Sequence, residues 1–298
     1  MFIISLTANN VVNDGTNSNL LYRFPTSINL TDKYIAVSSV SMFYSWFNIT
    51  AAYGNNTFTY TWTSGVTTTT YTITIPDGLY QIADINNYIQ FVCIANGTYW
   101  SNGGLNYYPL ELIVNAQRYA IQLNTYLIPI ALPTGATIPS NFAGWPSTTQ
   151  NSVVIIPADF SSIIGYAVNF TSPVNLSNGY TSTVSYIQKN SIGTISIIST
   201  EPPNVQPNSS VYITCNGINN PYTQPGSIIY CLNPSVAVGE QIIEKPPNFN
   251  WCKMIGGSYS TLMVSIVSIG LQQLYLKDPN MVIILSIRDK DESFLGTK

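Results

Sequence analysis

The chain contains no histidine. That absence removes Ser-His-Asp and Cys-His triads, imidazole metal sites and the commonest general base near neutral pH. Charge is scarce too: Asp, Glu, Lys and Arg supply 8% of the 298 residues, against roughly a quarter in ordinary soluble domains. The formal net charge is −3, so no basic field exists to gather nucleic acid by its phosphates, and no direct nucleic-acid binding is expected. The four cysteines, Cys93, Cys215, Cys231 and Cys252, form no Cys-x-x-Cys pair. A metal site of cysteines alone needs closer spacing, so free thiols in a reducing compartment are the expectation. One or two disulfides stay open on the even number.

Long apolar runs are missing as well. The longest, near Leu262–Ile269 and Met281–Ile287, are of strand length, well below the ~20 residues of a membrane span. Met1–Leu6 lacks a basic flank and is too short for a secretory signal. Without one, the Asn-x-Ser/Thr sequons at Asn29, Asn48, Asn55, Asn96, Asn169, Asn175 and Asn208 read as products of Asn and Thr abundance. Chemistry is hard to assemble from the rest. Asp77 and Asp84 are accounted for by a turn and a first helical turn, and Asp289 and Asp291 stand at a terminus. Gly103-Gly104 and Gly256-Gly257 read as turns, and no serine sits in a nucleophile elbow. No enzyme activity, cofactor or metal is expected.

What is present is β-forming. Hydrophobic residues are 45% and aromatics 12% of the chain, which argues against disorder. A surface of Thr, Ser, Asn, Gln and Tyr gives weak mutual repulsion, which favours burial in an oligomer or lattice. The organising stretch is Thr67–Cys93. Thr70–Ile75 alternates as a strand, Pro76-Asp77-Gly78 stops it, and the apolar period then changes to that of a helix. Ile82, Ile85, Tyr88, Ile89 and Val92 form its stripe, so a helix over Gln81–Val92 should cap a β-structure. A second, Ala158–Ile164, ends at Gly165.

The remaining pattern is strands and turns. Strands are expected at Phe2–Leu6, Leu20–Phe24 (ended by Pro25) and Tyr34–Phe47, where Ile35, Val37, Ser39, Ser41 and Phe43 share a face. Thr57–Thr63 pairs with the strand at Thr70 across Ser64-Gly65, and Leu110–Val114 with Tyr119–Leu127. Pro129–Asn151, with four prolines and two glycines, is a long irregular loop. Val153–Ile156 follows. The last third holds strands at Ile192–Ser199, Ser210–Asn216, Ile228–Leu232, Glu240–Glu244, Tyr259–Ile269 and Asn280–Arg288. The fold class is all-β, an antiparallel sandwich or jelly roll with one or two short helices and a loop-rich insertion around 95–190. Tyr99, Trp100, Tyr107, Tyr108, Trp145 and Tyr180 lie in or beside loops, where aromatics stack on sugars, anchor an interface or cover the ends of the sandwich.

Three C-terminal stretches, VYITCNG from Val211, SIIYCLNPSVAVGEQIIEKPPNFNWCKM, and YSTLMVSIVSIGLQQLYLKDPNMVIILSIRDK, resemble the minor capsid, or penton, proteins of virophages and Maverick/Polinton-type elements. IPDGLYQIADINNYIQ and Ala158–Tyr166 resemble segments of the same proteins. The turn Ser268–Leu271 departs from the acidic turn of the pattern. The resemblance implies a virion protein made in the host cytoplasm. It implies that 1–298 is a single jelly-roll antiparallel sandwich standing in a shell, five copies closing each vertex among major capsid proteins. The final two strands should form the core, with their connecting turn and the charged tail at one end and loops such as Pro129–Asn151 facing outward. Lys277, Asp278, Arg288, Asp289 and Lys290 are the candidates for ring or shell contacts. Two alternatives stand beside this: a glycan-binding jelly roll using the loop aromatics, for which a host glycan or receptor is the partner, and a major capsid subunit of two stacked rolls.

Overall fold

The computed structural model describes residues 1–12, 16–172, 179–182, 187–189, 193–204, 210–237, 239–276 and 278–290. The chain divides into two units, one made of Met1–Phe47 and Asn208–Lys298, the other of Asn48–Pro207. Antiparallel sheets dominate both, and the described residues hold two α-helices.

Counted along the chain, the main strands of the first unit are Phe2–Thr7, Asn19–Asn29, Lys33–Phe43, Val211–Cys215, Ile228–Leu232, Gln241–Glu244, Ser258–Ser268 and Val282–Asp289. One sheet takes the first, eighth, third and sixth in spatial order, with the short Cys252–Lys253 strand also pairing the third. The other takes the fifth, fourth, seventh and second. That alternation between sheets is the strand order of a jelly roll. The inner faces share one core: Ile4, Leu6, Val40, Ile283 and Leu285 from the first sheet meet Leu20, Ile213, Leu262, Val264 and Ile266 from the second.

Two local expectations change. Pro25 does not end its strand. Asn19–Asn29 runs through it, with the pairing to Ser258–Ser268 interrupted between Arg23 and Ile28. The strand is an edge of its sheet, and proline is tolerated at edges and bulges because no ladder donor is needed there. In Lys33–Phe43 the inward face switches. Ile35 and Val37 are buried, but then Val40 and Met42 rather than Ser39 and Ser41. The register to the last strand shifts between Val37 and Ser39, and the extra residue, Ser38, inverts the alternation. Ser258–Ser268 and Val282–Asp289 lie in different sheets. Their connection crosses between the sheets and buries Leu274 and Leu276 in the core.

The second unit has its own core. The strands Thr57–Ser64, Thr67–Thr74 and Val154–Ile156 form one sheet with Phe170–Thr171; Leu110–Asn115, Ala120–Thr125 and Ile195–Ile198 form another with Gly179–Ser182 and Ile187–Lys189. Here Thr57–Ser64 with Thr67–Thr74 and Leu110–Asn115 with Ala120–Thr125 pair as hairpins, and Val154–Ile156 and Ile195–Ile198 join them from farther along the chain. Phe58, Tyr60 and Ile73 from the first sheet share a core with Leu112, Ile121, Leu123 and Ile197 from the second. Helix α1, Ile82–Ala95, buries Ile82, Ile85, Ile89 and Cys93 there, with Tyr88 and Val92 packed at its margin. The Asp84 carboxylate accepts the Gln81 N–H at 2.9 Å, which satisfies a donor that the helix start leaves open. At the other end Thr98 N–H bonds the Cys93 carbonyl and Gly97 N–H the Ile94 carbonyl, a Schellman closure with Gly97 at φ +66°. Helix α2, Ala158–Ile164, is capped by left-handed Gly165.

Candidate functional sites

Two places gather the residues singled out above. The first is an aromatic cluster in the second unit. Trp100 opens a short strand, Trp100–Asn102, and pairs directly with Tyr107 of Leu105–Tyr107. Their rings stack at 5.8 Å and 8° between planes. Trp100 is itself 7% exposed, Tyr107 42%. Tyr99 stacks on Tyr108 at 5.9 Å, and the Tyr108 hydroxyl accepts from the Asn106 amide at 3.2 Å. Trp145 has a packing role: it touches Trp100 and Phe142. With buried Trp62, whose indole N–H donates to the Gly144 carbonyl at 2.9 Å, they form a small core that holds the Pro129–Asn151 loop. Tyr180 lies in the strand Gly179–Ser182, opposite Gln188; its side chain is outside the described part.

Beside Trp100, Tyr107 and Tyr108 opens a groove of about 290 Å³, lined also by Leu105, Asn106 and Leu110, by Gln90 of α1, and by Glu111 and Tyr126. The Tyr126 hydroxyl donates to the Glu111 carboxylate at 2.5 Å, and the Asn124 amide donates to the same oxygen at 3.4 Å. Burial, followed by the Glu111 bond and its charge, pushes the Tyr126 phenol up to about 12. The sequence reading missed Gln90 and Glu111, which belong to regular elements, and Tyr126, which stands just beyond the strand Ala120–Thr125. Only the pairing of Leu110–Asn115 with Ala120–Thr125 brings the last two together.

The second place is the set of charges proposed for contacts. Lys277 lies outside the described residues. Asp278 is not a surface charge: it is 1% exposed. Its carboxylate accepts the N–H groups of Phe43 at 2.6 Å and Asn280 at 2.8 Å, and its carbonyl accepts the Asn17 amide. It braces the connection between the sheets. Arg288 and Asp289 belong to the last strand. Arg288 lies over the Trp251 ring at 4.2 Å, and Asp289 pairs with Lys33, its partner across the sheet. Lys290 is exposed. The connecting turn and this charged end are therefore not together. An eight-residue strand separates them, roughly 25 Å at the rise of an antiparallel strand.

Other candidates resolve into structure. The Asp77 carboxylate accepts the Ala51 N–H at 2.7 Å. Asn48 and Asn55 are buried, their amides donating to the Tyr80 and Asn48 carbonyls. Among the described residues no group of three or more His, Cys, Asp and Glu is placed to hold a metal ion, and no helix is long and apolar enough to cross a membrane.

The first unit thus defines an eight-stranded jelly roll, a class that includes capsid and lectin domains. No protein-family model and no curated protein matches the chain. Among solved structures it is similar to the mavirus penton protein, with a TM-score of 0.40 and 9% identity over 96% of each chain. It is also similar to a chain of the Sputnik virophage structure, with a TM-score of 0.36, 11% identity, and coverage of 97% of this chain and 98% of that one. Both likenesses are remote in sequence.

Proposed function

We propose that the chain is a structural virion protein, the vertex (penton) subunit of an icosahedral capsid, with no catalytic role. The observation that carries this is the strand order of the first unit, first-eighth-third-sixth against fifth-fourth-seventh-second, read with the C-terminal sequence resemblance, whose segments are the strands of that roll. Fold alone does not fix function, and jelly rolls also serve as metal-binding cupins and as lectins. The missing histidine removes the imidazole metal site. A double-roll major capsid subunit fits less well, because hairpin neighbours pair in the second unit.

On this reading 1–298 acts as one capsid subunit, with the insertion between the third and fourth strands of the roll as its elaboration. Its partners are four further copies and the neighbouring major capsid proteins, and its place is the virion, after synthesis in the host cytoplasm. Lys277, Arg288, Asp289 and Lys290 remain proposed contact charges; Asp278 does not. The test is native mass of the purified chain, where a species of five times 32.7 kDa is expected. A monomer or trimer at all concentrations, with no incorporation into co-expressed shells, overturns the reading.

A further inference from the structure

We propose that the groove lined by Trp100, Tyr107, Glu111 and Tyr126 binds a neutral pyranose, the terminal ring of an uncharged glycan. The inference does not rest on the vertex assignment.

Tyr107 is 42% exposed, and stacking against the buried Trp100 ring fixes its plane. A flat, held aromatic face suits the C–H face of a sugar ring, since little side-chain freedom is lost on binding. The groove's 290 Å³ lies just below the roughly 300–1,000 Å³ of ligand pockets, the scale of a terminal ring rather than a long chain. Gln90, Glu111 and Tyr126 line the same groove and bring hydrogen-bond acceptors to it. The Tyr126 hydroxyl has its proton committed to one Glu111 oxygen, which leaves lone pairs on the phenol and the second carboxylate oxygen. Gln90 adds an amide that both donates and accepts. Sugar hydroxyls are donors that match these acceptors, and bonds to a carboxylate are the stronger kind.

Charge then selects among ligands that stack on aromatics. Among the described residues no Lys or Arg lines the groove, and the one carboxylate there is that of Glu111. Sialic acid, sulfated sugars and nucleotides would each bring an anion toward that carboxylate with no cation to meet it, so they are discriminated against by repulsion. A neutral ring meets no such cost.

The test is saturation-transfer NMR on the full chain with the methyl glycosides of galactose, glucose, N-acetylglucosamine and sialic acid at millimolar concentration. Transfer to at least one neutral glycoside and none to the sialoside is expected. Tyr107→Ala should weaken the neutral signal at least tenfold, and Tyr119→Ala, which removes an exposed ring outside the groove, should leave it unchanged. Glu111→Gln tests the carboxylate acceptor and should weaken binding while circular dichroism stays native. Absence of transfer to every neutral glycoside, equal transfer to the sialoside, or a neutral signal that persists in Tyr107→Ala overturns the proposal.

Discussion

Tyr166 carries its hydroxyl into the core of the second unit, where it accepts the Leu123 N–H at 2.8 Å and donates to the Ile197 carbonyl at 2.7 Å. Burial raises its phenol far above the usual range. Tyr166→Phe keeps the ring but leaves two buried backbone groups short of a partner, so it should cost about 1–3 kcal/mol in denaturant unfolding. An unchanged midpoint would mean that other groups satisfy them. Ile89, fully buried, should cost about 2–5 kcal/mol as Ile89→Ala, and a loss under ~0.5 kcal/mol would show that α1 is not part of the core. The thiols make a pH prediction. Burial raises Cys93 and Cys215 from 9.0 to about 11. The folded chain then holds protons that the unfolded chain releases, so their contribution to stability is complete below pH 9 and falls as pH rises toward about 11. Thermal unfolding followed from pH 8 to 11 should show this decline. All four cysteines are free and only Cys231 is exposed, so a thiol reagent on the native chain at pH 8 should react quickly with that one alone; faster reaction at Cys93 would contradict the burial.

At the scale of elements, much was legible where one residue type has one local meaning. Gly165 marked the end of α2, and the change of apolar period marked α1, although its last turn ran on to Ala95. The bulge at Ser38 was not legible, because three serines among Ser38, Ser39 and Ser41 carry no signal about which side they face; the shift is imposed by pairing with a strand some 250 residues away. The groove was half legible. Its aromatics stood out in loops, whereas Glu111 and Tyr126 became partners only through a hairpin. Gly97 offers a direct test of an element's closure. Its φ is positive, and a Cβ there would lie 1.9 Å from the Asn141 carbonyl oxygen. Gly97→Ala therefore combines backbone strain with a clash against main chain, and should destabilise by more than the ~1 kcal/mol of conformational strain alone. Differential scanning calorimetry that shows no fall in melting temperature would mean that the Asn141 segment yields freely.

At the scale of the whole molecule, the division into two units was hidden because both use the same Thr-, Ile- and Asn-rich vocabulary, and no charge or linker marks the seams at Phe47 and Asn208. Strand order was equally hidden, since Phe2 pairs with Ile287. Once it is known, the edges of the roll can be named. In the first sheet they are Phe2–Thr7 on one side and Gln241–Glu244, with the short Cys252–Lys253, on the other, and the two longer strands each point an isoleucine away from the core: Ile3 at 59% and Ile243 at 63% exposure. An exposed aliphatic on an edge strand is a template for unwanted pairing, and natural edges are commonly guarded by charge. Glu244 and the bond from Gln241 to Ser41 guard this one only partly; on the proposed vertex reading a neighbouring copy covers it. Ile243→Lys places a charge there without disturbing the inner face, where Ile242 is buried. It should leave the unfolding transition of the single subunit within about 0.5 kcal/mol and abolish the fivefold species in native mass spectrometry. Lys290→Glu, at an exposed position whose ion pairs are worth ~0–1 kcal/mol each, should weaken the same species less. A fivefold species that survives Ile243→Lys would exclude this edge from the ring.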